Sequence, residues 1–405
     1  MKILLICTGS ELLRGSVLNR NMQQLGELLF DCGMPLEAEW SIADSYEAIK
    51  EALQLAAARY ELIIMTGGLG PTSDDLTRQA IADAFGRRLE RDESLVELLQ
   101  QRLKSFSNST LSANQLLQTM IPAGAEILHN SIGTASGFKL ETARCTLFAL
   151  PGPPREALPM AELYLKPFVE QAAAELNIIT EKFFLADIGE SRVEAKVIEL
   201  LEEYPEIIPA YCAEPRLVKL FLSYPDSFDF SCLRQELCTV FKDNLLGPEL
   251  SSLEAELIAL LNRNNYTLAV AESCTGGGLG ERLTSVSGAS EVFHGGVISY
   301  SNVVKERELA VPCEVISEHG AVSSECAAAM VRGVQQRFNC DCAISVSGIA
   351  GPGGGSEAKP VGTVFIAVAC KEKLAVKKYC FRGGRESVRF QSCCNAFADL
   401  RRIID

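Results

Sequence analysis

Twice this chain runs a short apolar stretch straight into a glycine-rich turn. Residues 61–65 (E-L-I-I-M) meet T-G-G-L-G-P-T at 66–72, and residues 266–271 (Y-T-L-A-V-A) meet E-S-C-T-G-G at 272–277. An apolar run without polar alternation fits a strand covered on both faces, and helices are the usual cover. The flanking sequence agrees. Leu18, Met22, Leu25 and Leu29 fall on one helical face that Gly33 ends, and 46–60 reads as a second helix. Residues 2–7 and 146–150 read as further strands, the latter leading into P-G-P-P at 151–154. Strands alternating with helices imply parallel sheets with helical cover.

The chain is therefore read as α/β: two separate α/β domains with largely parallel sheets, joined by a small α+β module. The first domain spans 1–172. The middle module spans 173–250, with extended stretches at 183–186 and 217–222 and helices at 191–203 and 231–243. A spacer or dimerisation role suits it. The last domain spans 251–405, with strands expected at 266–271, 296–300, 342–346, 363–369 and 376–381 and a closing helix at 386–403.

Composition removes several classes of function. Lys and Arg number 38 against 52 Asp and Glu, a formal net charge of −14 over 405 residues. Such a surface repels phosphate backbones and anionic lipid, so neither nucleic acid nor membrane is expected as a partner. No apolar run approaches the roughly 20 residues of a membrane span. The opening M-K-I-L-L-I-C-T-G-S-E is too short in apolar length for a signal peptide, so a cytoplasmic protein is expected. Fifteen Cys include no C-x-x-C pair, and the three His (His129, His294, His319) lack zinc-site spacing. Reduced, mostly buried thiols are expected.

The last domain carries the sharper chemistry. In A-E-S-C-T-G-G at 271–277, Ser273 stands where a strand ends and a helix begins. That turn exposes a hydroxyl, and the helix N-terminus brings backbone N–H groups for a developing oxyanion. Ser273 or Thr275 would equally serve as a plain helix cap. A nucleophilic serine needs a base. His294 and His319 sit in no triad context, which leaves Lys305 of Y-S-N-V-V-K (300–305). A desolvated lysine loses its proton readily and acts as a base. Tyr300 would donate to the leaving group or relay a proton. The plainer readings are a solvated Lys305 and a half-buried Tyr300. The glycine-rich S-G-I-A-G-P-G-G-G at 347–355 would let backbone N–H groups approach a phosphate, or simply be a connector. Arg385 and Arg389, one helical turn apart, would grip a phosphate or lie on a solvated face.

In the first domain, Gly67, Gly68 and Gly70 of T-G-G-L-G-P-T-S-D-D-L-T (66–77) would admit a phosphate to a helix N-terminus. Asp74 and Asp75 add negative charge there, which favours a bridging Mg²⁺ over a bare anion, and Asp44 would join them from a neighbouring strand end. Asp44-x-x-Glu47 also fits an acidic capping box, and Asp74 a simple helix start.

Together these segments resemble the CinA family, the competence/damage-inducible protein A proteins. The last domain is similar to nicotinamide-nucleotide amidase in A-E-S-x-T-G-G, Y-S-N-x-x-K and G-I-A-G-P-x-G-G. That resemblance implies hydrolysis of nicotinamide mononucleotide to nicotinate mononucleotide and ammonia, without a cofactor. Ser273 would be the nucleophile, Lys305 its base and Tyr300 an assistant. Thr275, Gly276, Ser347, Gly348, Gly351, Gly353, Gly354 and Arg385 or Arg389 would hold the substrate. Residues 1 to about 170 resemble the domain that CinA shares with molybdopterin-handling enzymes, through G-S-E-L-L-R-G at 9–15, Asn19, Asn21, the 66–77 segment and L-P-G-P-P at 150–154. This implies cleavage of the ADP-ribose pyrophosphate, with Gly67, Gly68 and Gly70 at the substrate and a divalent metal, Mg²⁺, at Asp44, Asp74 and Asp75. The resemblance also implies a homodimer. Departures from the family pattern are Ser10 and Ser347 for Thr, Ser45 for Asn and Ser136 for Pro. Two other functions fit the same resemblance: a non-catalytic nucleotide sensor in competence or DNA-damage responses, and a molybdopterin-handling enzyme.

Overall fold

The computed structural model describes residues 1–104, 111–176, 178–247 and 250–404. They form two compact units, Met1–Thr180 with Ser223–Ser227, and Glu181–Leu222 with Phe228–Asp405.

The first unit contains β1 (Ile3–Thr8), β2 (Ala38–Ile42), β3 (Leu62–Thr66), β4 (Leu89–Arg91), β5 (Met120–Pro122), β6 (Glu126–Leu128), β7 (Gly137–Glu141) and β8 (Thr146–Leu150). Its main sheet runs β2-β1-β3-β8-β7-β6. The pairs β1–β2, β1–β3 and β3–β8 are parallel, and β7 and β6 add antiparallel to one edge. Strand alternation splits the core. Leu4, Ile6, Ile63 and Met65 face one helical layer, while Ile3, Leu5, Leu62 and Ile64 face the other. After β1 comes a short helix, Ser10–Leu13, and then Arg20–Asp31, which buries Leu25 and Leu29. Leu18 and Met22, expected on that buried face, are exposed: Leu18 precedes the helix and Met22 lies in its first turn. The chain leaves β1 for β2 on one side and returns to β3 on the other. Such a switch opens a crevice beyond the strands' carboxyl ends, where Thr8 and Thr66 stand.

The middle segment contributes β9 (Ile178–Ala186), β10 (Ile208–Glu214) and β11 (Leu217–Pro225), in the order β10-β11-β9. β10 is an edge strand that the sequence reading missed. In the second unit Ala186, Leu217 and Leu246 enter the core of the last domain, and Asp187 pairs with Arg216 and with Arg402 at 2.6 Å each. That domain holds β12 (Leu268–Glu272), β13 (Phe293–Ile298), β14 (Cys342–Gly348), β15 (Thr363–Cys370) and β16 (Lys373–Cys380), ordered β13-β12-β14-β15-β16. Only β13, β12 and β14 run parallel. β15 and β16 run antiparallel, so this sheet is mixed rather than largely parallel. The reason is the connection: residues 349–362 contain no helix to carry the chain back to the starting edge. Alanines at 269, 271, 343, 367 and 369 line one sheet face, which lets the helix Ser324–Phe338 pack close. All fifteen Cys are free, and most are buried. No described helix is long and apolar enough to cross a membrane.

Candidate active sites

β12 and β13 lie side by side in parallel, so the turn after β12 and the helix Asn302–Leu309 after β13 meet at one sheet edge. There Lys305 Nζ lies 3.2 Å from Ser273 Oγ and donates to the Ser299 carbonyl at 2.6 Å. Lys305 is 1% exposed and Ser273 8%. Burial pushes the Lys305 pKa down from its ordinary value, because a buried ammonium loses its hydration. Among the described residues no carboxylate forms an ion pair with Lys305. The neighbouring thiol of Cys274 is pushed up by burial to about 11, so it stays protonated and does not compete as a nucleophile. His294 and His319 are exposed.

The turn itself is held from several sides. Ser273 N–H donates to the Val346 carbonyl at 3.0 Å and Gly276 N–H to the Ser273 carbonyl at 3.2 Å. Gly276, at φ +59°, takes a left-handed conformation that a side chain disfavours. Glu272, 2% exposed, accepts from the N–H groups of Gly277 (2.9 Å), Leu279 (3.1 Å) and Gly280 (3.0 Å). This corrects the expected oxyanion site. A carboxylate already fills the N-terminus of the helix Gly278–Thr284, so that helix end offers these donors to no ligand. The Cys274 and Thr275 N–H groups are the unbonded donors of the turn among the described residues, and they directly follow Ser273. The Thr275 side chain is buried, and its hydroxyl has no protein partner among the described residues.

Other expected ligand contacts divide into two groups. Ser347 is buried and donates to the Ala321 carbonyl at 2.6 Å, and Gly348 packs against Val364 with no room for a Cβ. These two shape the loop. Gly353 and Gly354 are exposed, and the Gly351 carbonyl accepts from Arg385 at 2.9 Å. Tyr300, 63% exposed, keeps its hydroxyl 3.3 Å from Arg385 Nη2. It thus pairs with the exposed Arg385, rather than making hydrogen-bond contact with Ser273 or Lys305. Arg389 turns inward instead and donates twice to the Thr275 carbonyl.

The first unit has a separate cleft of about 1100 Å³ at the β1/β3 switch point. Gly67, Gly68, Asp44, Asp74, Asp75 and the 152–154 turn line it, while Gly70 lies in an adjoining pocket of about 270 Å³. Gly68 has φ +65°, and a Cβ there would sit 2.1 Å from Thr77 Oγ1. Asp75 Oδ2 accepts from Thr72 N–H at 2.7 Å and from the Thr72 hydroxyl at 2.5 Å. Asp44 Oδ2 accepts from Ser10 N–H at 2.8 Å, so Asp44 secures the turn after β1 rather than a capping box at 44–47. Among the described residues no three His, Cys, Asp or Glu side chains gather into a metal cage. Hard carboxylate oxygens beside a phosphate-sized glycine turn suit a Mg²⁺ held largely by water and ligand phosphate.

The sequence reading gave no site role to several residues in this unit. Arg20 and Arg155 bring positive charge to the lining. Asn21 donates to the Gly152 carbonyl at 2.7 Å, and its Oδ1 is buried without a partner among the described residues. Arg78, 4% exposed, donates to the Ser136 carbonyl at 3.3 Å; burial lowers its pKa to about 10 against the opposing pull of Asp75. Arg155 had one available signal, its place directly after P-G-P-P.

Residues 250–404 match the family model described as "CinA C-terminal domain", and residues 4–171 the one described as "Probable molybdopterin binding domain". A CinA-like protein of Dictyoglomus thermophilum is 36% identical over 99% of both chains. A CinA-like protein of a Synechococcus species is 38% identical over 98% of this chain and 97% of its own. The crystal structure of competence/damage inducible protein CihA from Agrobacterium tumefaciens is 33% identical, covering 38% of this chain and 94% of that one, with a TM-score of 0.37. With relatives of that identity along its whole length, this chain belongs to the CinA family.

Proposed function

We propose that the last domain is a nicotinamide-nucleotide amidohydrolase of the serine–lysine type, converting nicotinamide mononucleotide and water to nicotinate mononucleotide and ammonia. The observation that carries this reading is the buried Lys305 amine within 3.2 Å of the Ser273 hydroxyl, with no carboxylate among the described residues to hold it protonated. A pure binding module has no use for a desolvated amine beside a serine. The family resemblance supplies the substrate.

The chemistry follows from the geometry. The neutral Lys305 amine takes the Ser273 proton as Oγ bonds to the carboxamide carbon. The carbonyl electron pair moves onto oxygen, where the Cys274 and Thr275 N–H groups meet it. The C–N bond then breaks, and the Lys305 ammonium returns its proton to the departing nitrogen, giving ammonia and a seryl ester. Water adds to the ester in the same way, its proton passing to Lys305. The ester C–O bond breaks, Ser273 recovers its proton, and the carboxylate leaves. The exposed Tyr300 and Arg385 would meet the ribose phosphate. The test is ammonia release from nicotinamide mononucleotide by the full-length protein, with Ser273→Ala as control. Tight nucleotide binding without ammonia would favour a sensor, and full turnover by Ser273→Ala would exclude the serine mechanism.

For the first domain we propose hydrolysis of the ADP-ribose pyrophosphate. The favouring observation is a cleft that combines a glycine turn with Arg20, Arg155 and four carboxylates, Glu11, Asp44, Asp74 and Asp75. Asp75, Asp74 and Asp44 would hold a Mg²⁺, which when bound supplies neutralisation of diphosphate charge. The arginines would orient the phosphates. Binding of molybdopterin in place of ADP-ribose would support the alternative assignment of this domain.

A further inference from the structure

Arg385 and Arg389 look interchangeable in sequence, yet they face different things. Arg385 is exposed and donates to the Gly351 carbonyl and the Tyr300 hydroxyl. Arg389 is half-buried, and its Nε and Nη2 donate to the Thr275 carbonyl at 3.1 and 2.7 Å. Two donors from one planar guanidinium fix the direction of that carbonyl as well as its place.

A trans peptide points its C=O and its N–H to opposite sides. With the Thr275 carbonyl held by Arg389 and also accepting from the Gly278 N–H at 3.3 Å, the Gly276 N–H of the same peptide points the other way, into the Ser273 carbonyl at 3.2 Å. The Ser273 carbonyl is thereby fixed, and the Cys274 N–H of its own peptide must point opposite to it. That N–H is one of the two unbonded donors beside the nucleophile. Arg389 is therefore linked to the oxyanion donor through two peptide planes and one hydrogen bond.

We propose that Arg389 is a positioning residue that orients the oxyanion hole, and that the ligand's phosphate is left to Arg385. This inference rests on the amidase reading for its substrate, but not for its geometry. The test therefore uses two readouts on the full chain: ammonia release from nicotinamide mononucleotide, and the rate at which a fluorophosphonate probe labels Ser273, followed by intact mass. Labelling needs a primed serine and an oxyanion hole, and it needs no ribose phosphate.

Arg389→Gln is expected to lower kcat and the labelling rate together, on the order of 10²-fold, with little change in KM. Arg389→Lys keeps one donor and should recover part of both rates. Arg385→Gln should raise KM about tenfold or more, the loss of a charge-assisted phosphate contact, and label at the wild-type rate. Wild-type labelling of Arg389→Gln, or a raised KM with unchanged kcat, overturns the assignment and makes Arg389 a ligand contact. If Arg389→Gln does not fold, Arg389→Lys is judged by the same two rates. If the wild type labels but releases no ammonia, the substrate reading fails and the labelling comparison still decides the role of Arg389. A wild type whose Ser273 does not label overturns the inference as well.

Discussion

Lys305 Nζ lies between two oxygens, the Ser273 hydroxyl at 3.2 Å and the Ser299 carbonyl at 2.6 Å, and it is buried with both. A neutral amine satisfies this arrangement, donating to the carbonyl and accepting from the hydroxyl. Burial lowers the lysine pKa, so the active form gains population as pH rises. The rate of ammonia release should climb by about tenfold per pH unit below the lowered value and level off above it. A pH profile that is flat from 6 to 10 would remove Lys305 as the base.

The same shift makes a stability prediction. Below the folded pKa both the folded and the unfolded chain carry the proton, and the cost of the buried ammonium is fully present. Between that value and the ordinary 10.5 the unfolded chain binds more protons, so stability rises with pH. Lys305→Met abolishes this dependence. The difference in melting temperature between wild type and variant should swing towards the wild type as pH is raised from 7 to 10. An unchanged difference would show that the amine is not held in its neutral form.

Glu272 offers a test of the turn that leaves the Ser273–Lys305 pair in place. Its carboxylate accepts from three backbone N–H groups at a helix start, where negative charge is also favoured by the helix dipole. Glu272→Gln keeps the shape but removes the charge and turns one acceptor into a donor facing donors. A loss of about 2 kcal/mol is expected in urea unfolding followed by a probe in the last domain. A stability change within error would mean that the capping contacts contribute little.

The parts of this architecture that repeat locally were readable. Apolar strands at 62–66 and 268–272 lie where the sequence puts them, and the glycine turns follow them directly. Ser273 and Lys305 could be paired from sequence because their two strands are adjacent and parallel, which puts both strand ends on one edge. What could not be read depends on which way a side chain turns. Glu272 filling its own helix end, Arg389 pointing inward while Arg385 points outward, and Asp44 bonding to Ser10 are all decided by packing across the fold. The antiparallel β15 was hidden for a related reason. An apolar run carries no strand direction, and only the helix-free loop before it gave a hint.

In the first unit, Asp75 holds Thr72 through the backbone and the hydroxyl and lines the same cleft as Arg155. Asp75→Asn weakens both the turn and any cation it shares with a diphosphate. Mg²⁺-dependent turnover of ADP-ribose should fall on the order of 10²-fold, while ammonia release stays at the wild-type level. Loss of both activities would point to general misfolding, and loss of neither would remove Asp75 from the site.

Gly68 supplies the steric counterpart to that electrostatic test. It sits at φ +65° with Thr77 Oγ1 where a Cβ would go, at 2.1 Å, and its neighbour Gly67 is as tightly placed against Thr8. Gly68→Ala must therefore either strain the backbone or displace Thr77, which begins the helix Thr77–Ala84. Each route costs about 1–3 kcal/mol and shifts the glycine turn that lines the cleft. Binding of ADP-ribose, measured by calorimetry, should weaken at least tenfold. Binding of nicotinamide mononucleotide should be unchanged, because that site stands on a different sheet. If the alanine variant binds ADP-ribose as the wild type does, the glycine turn is not where the diphosphate lies, and the cleft must be read from its arginines instead.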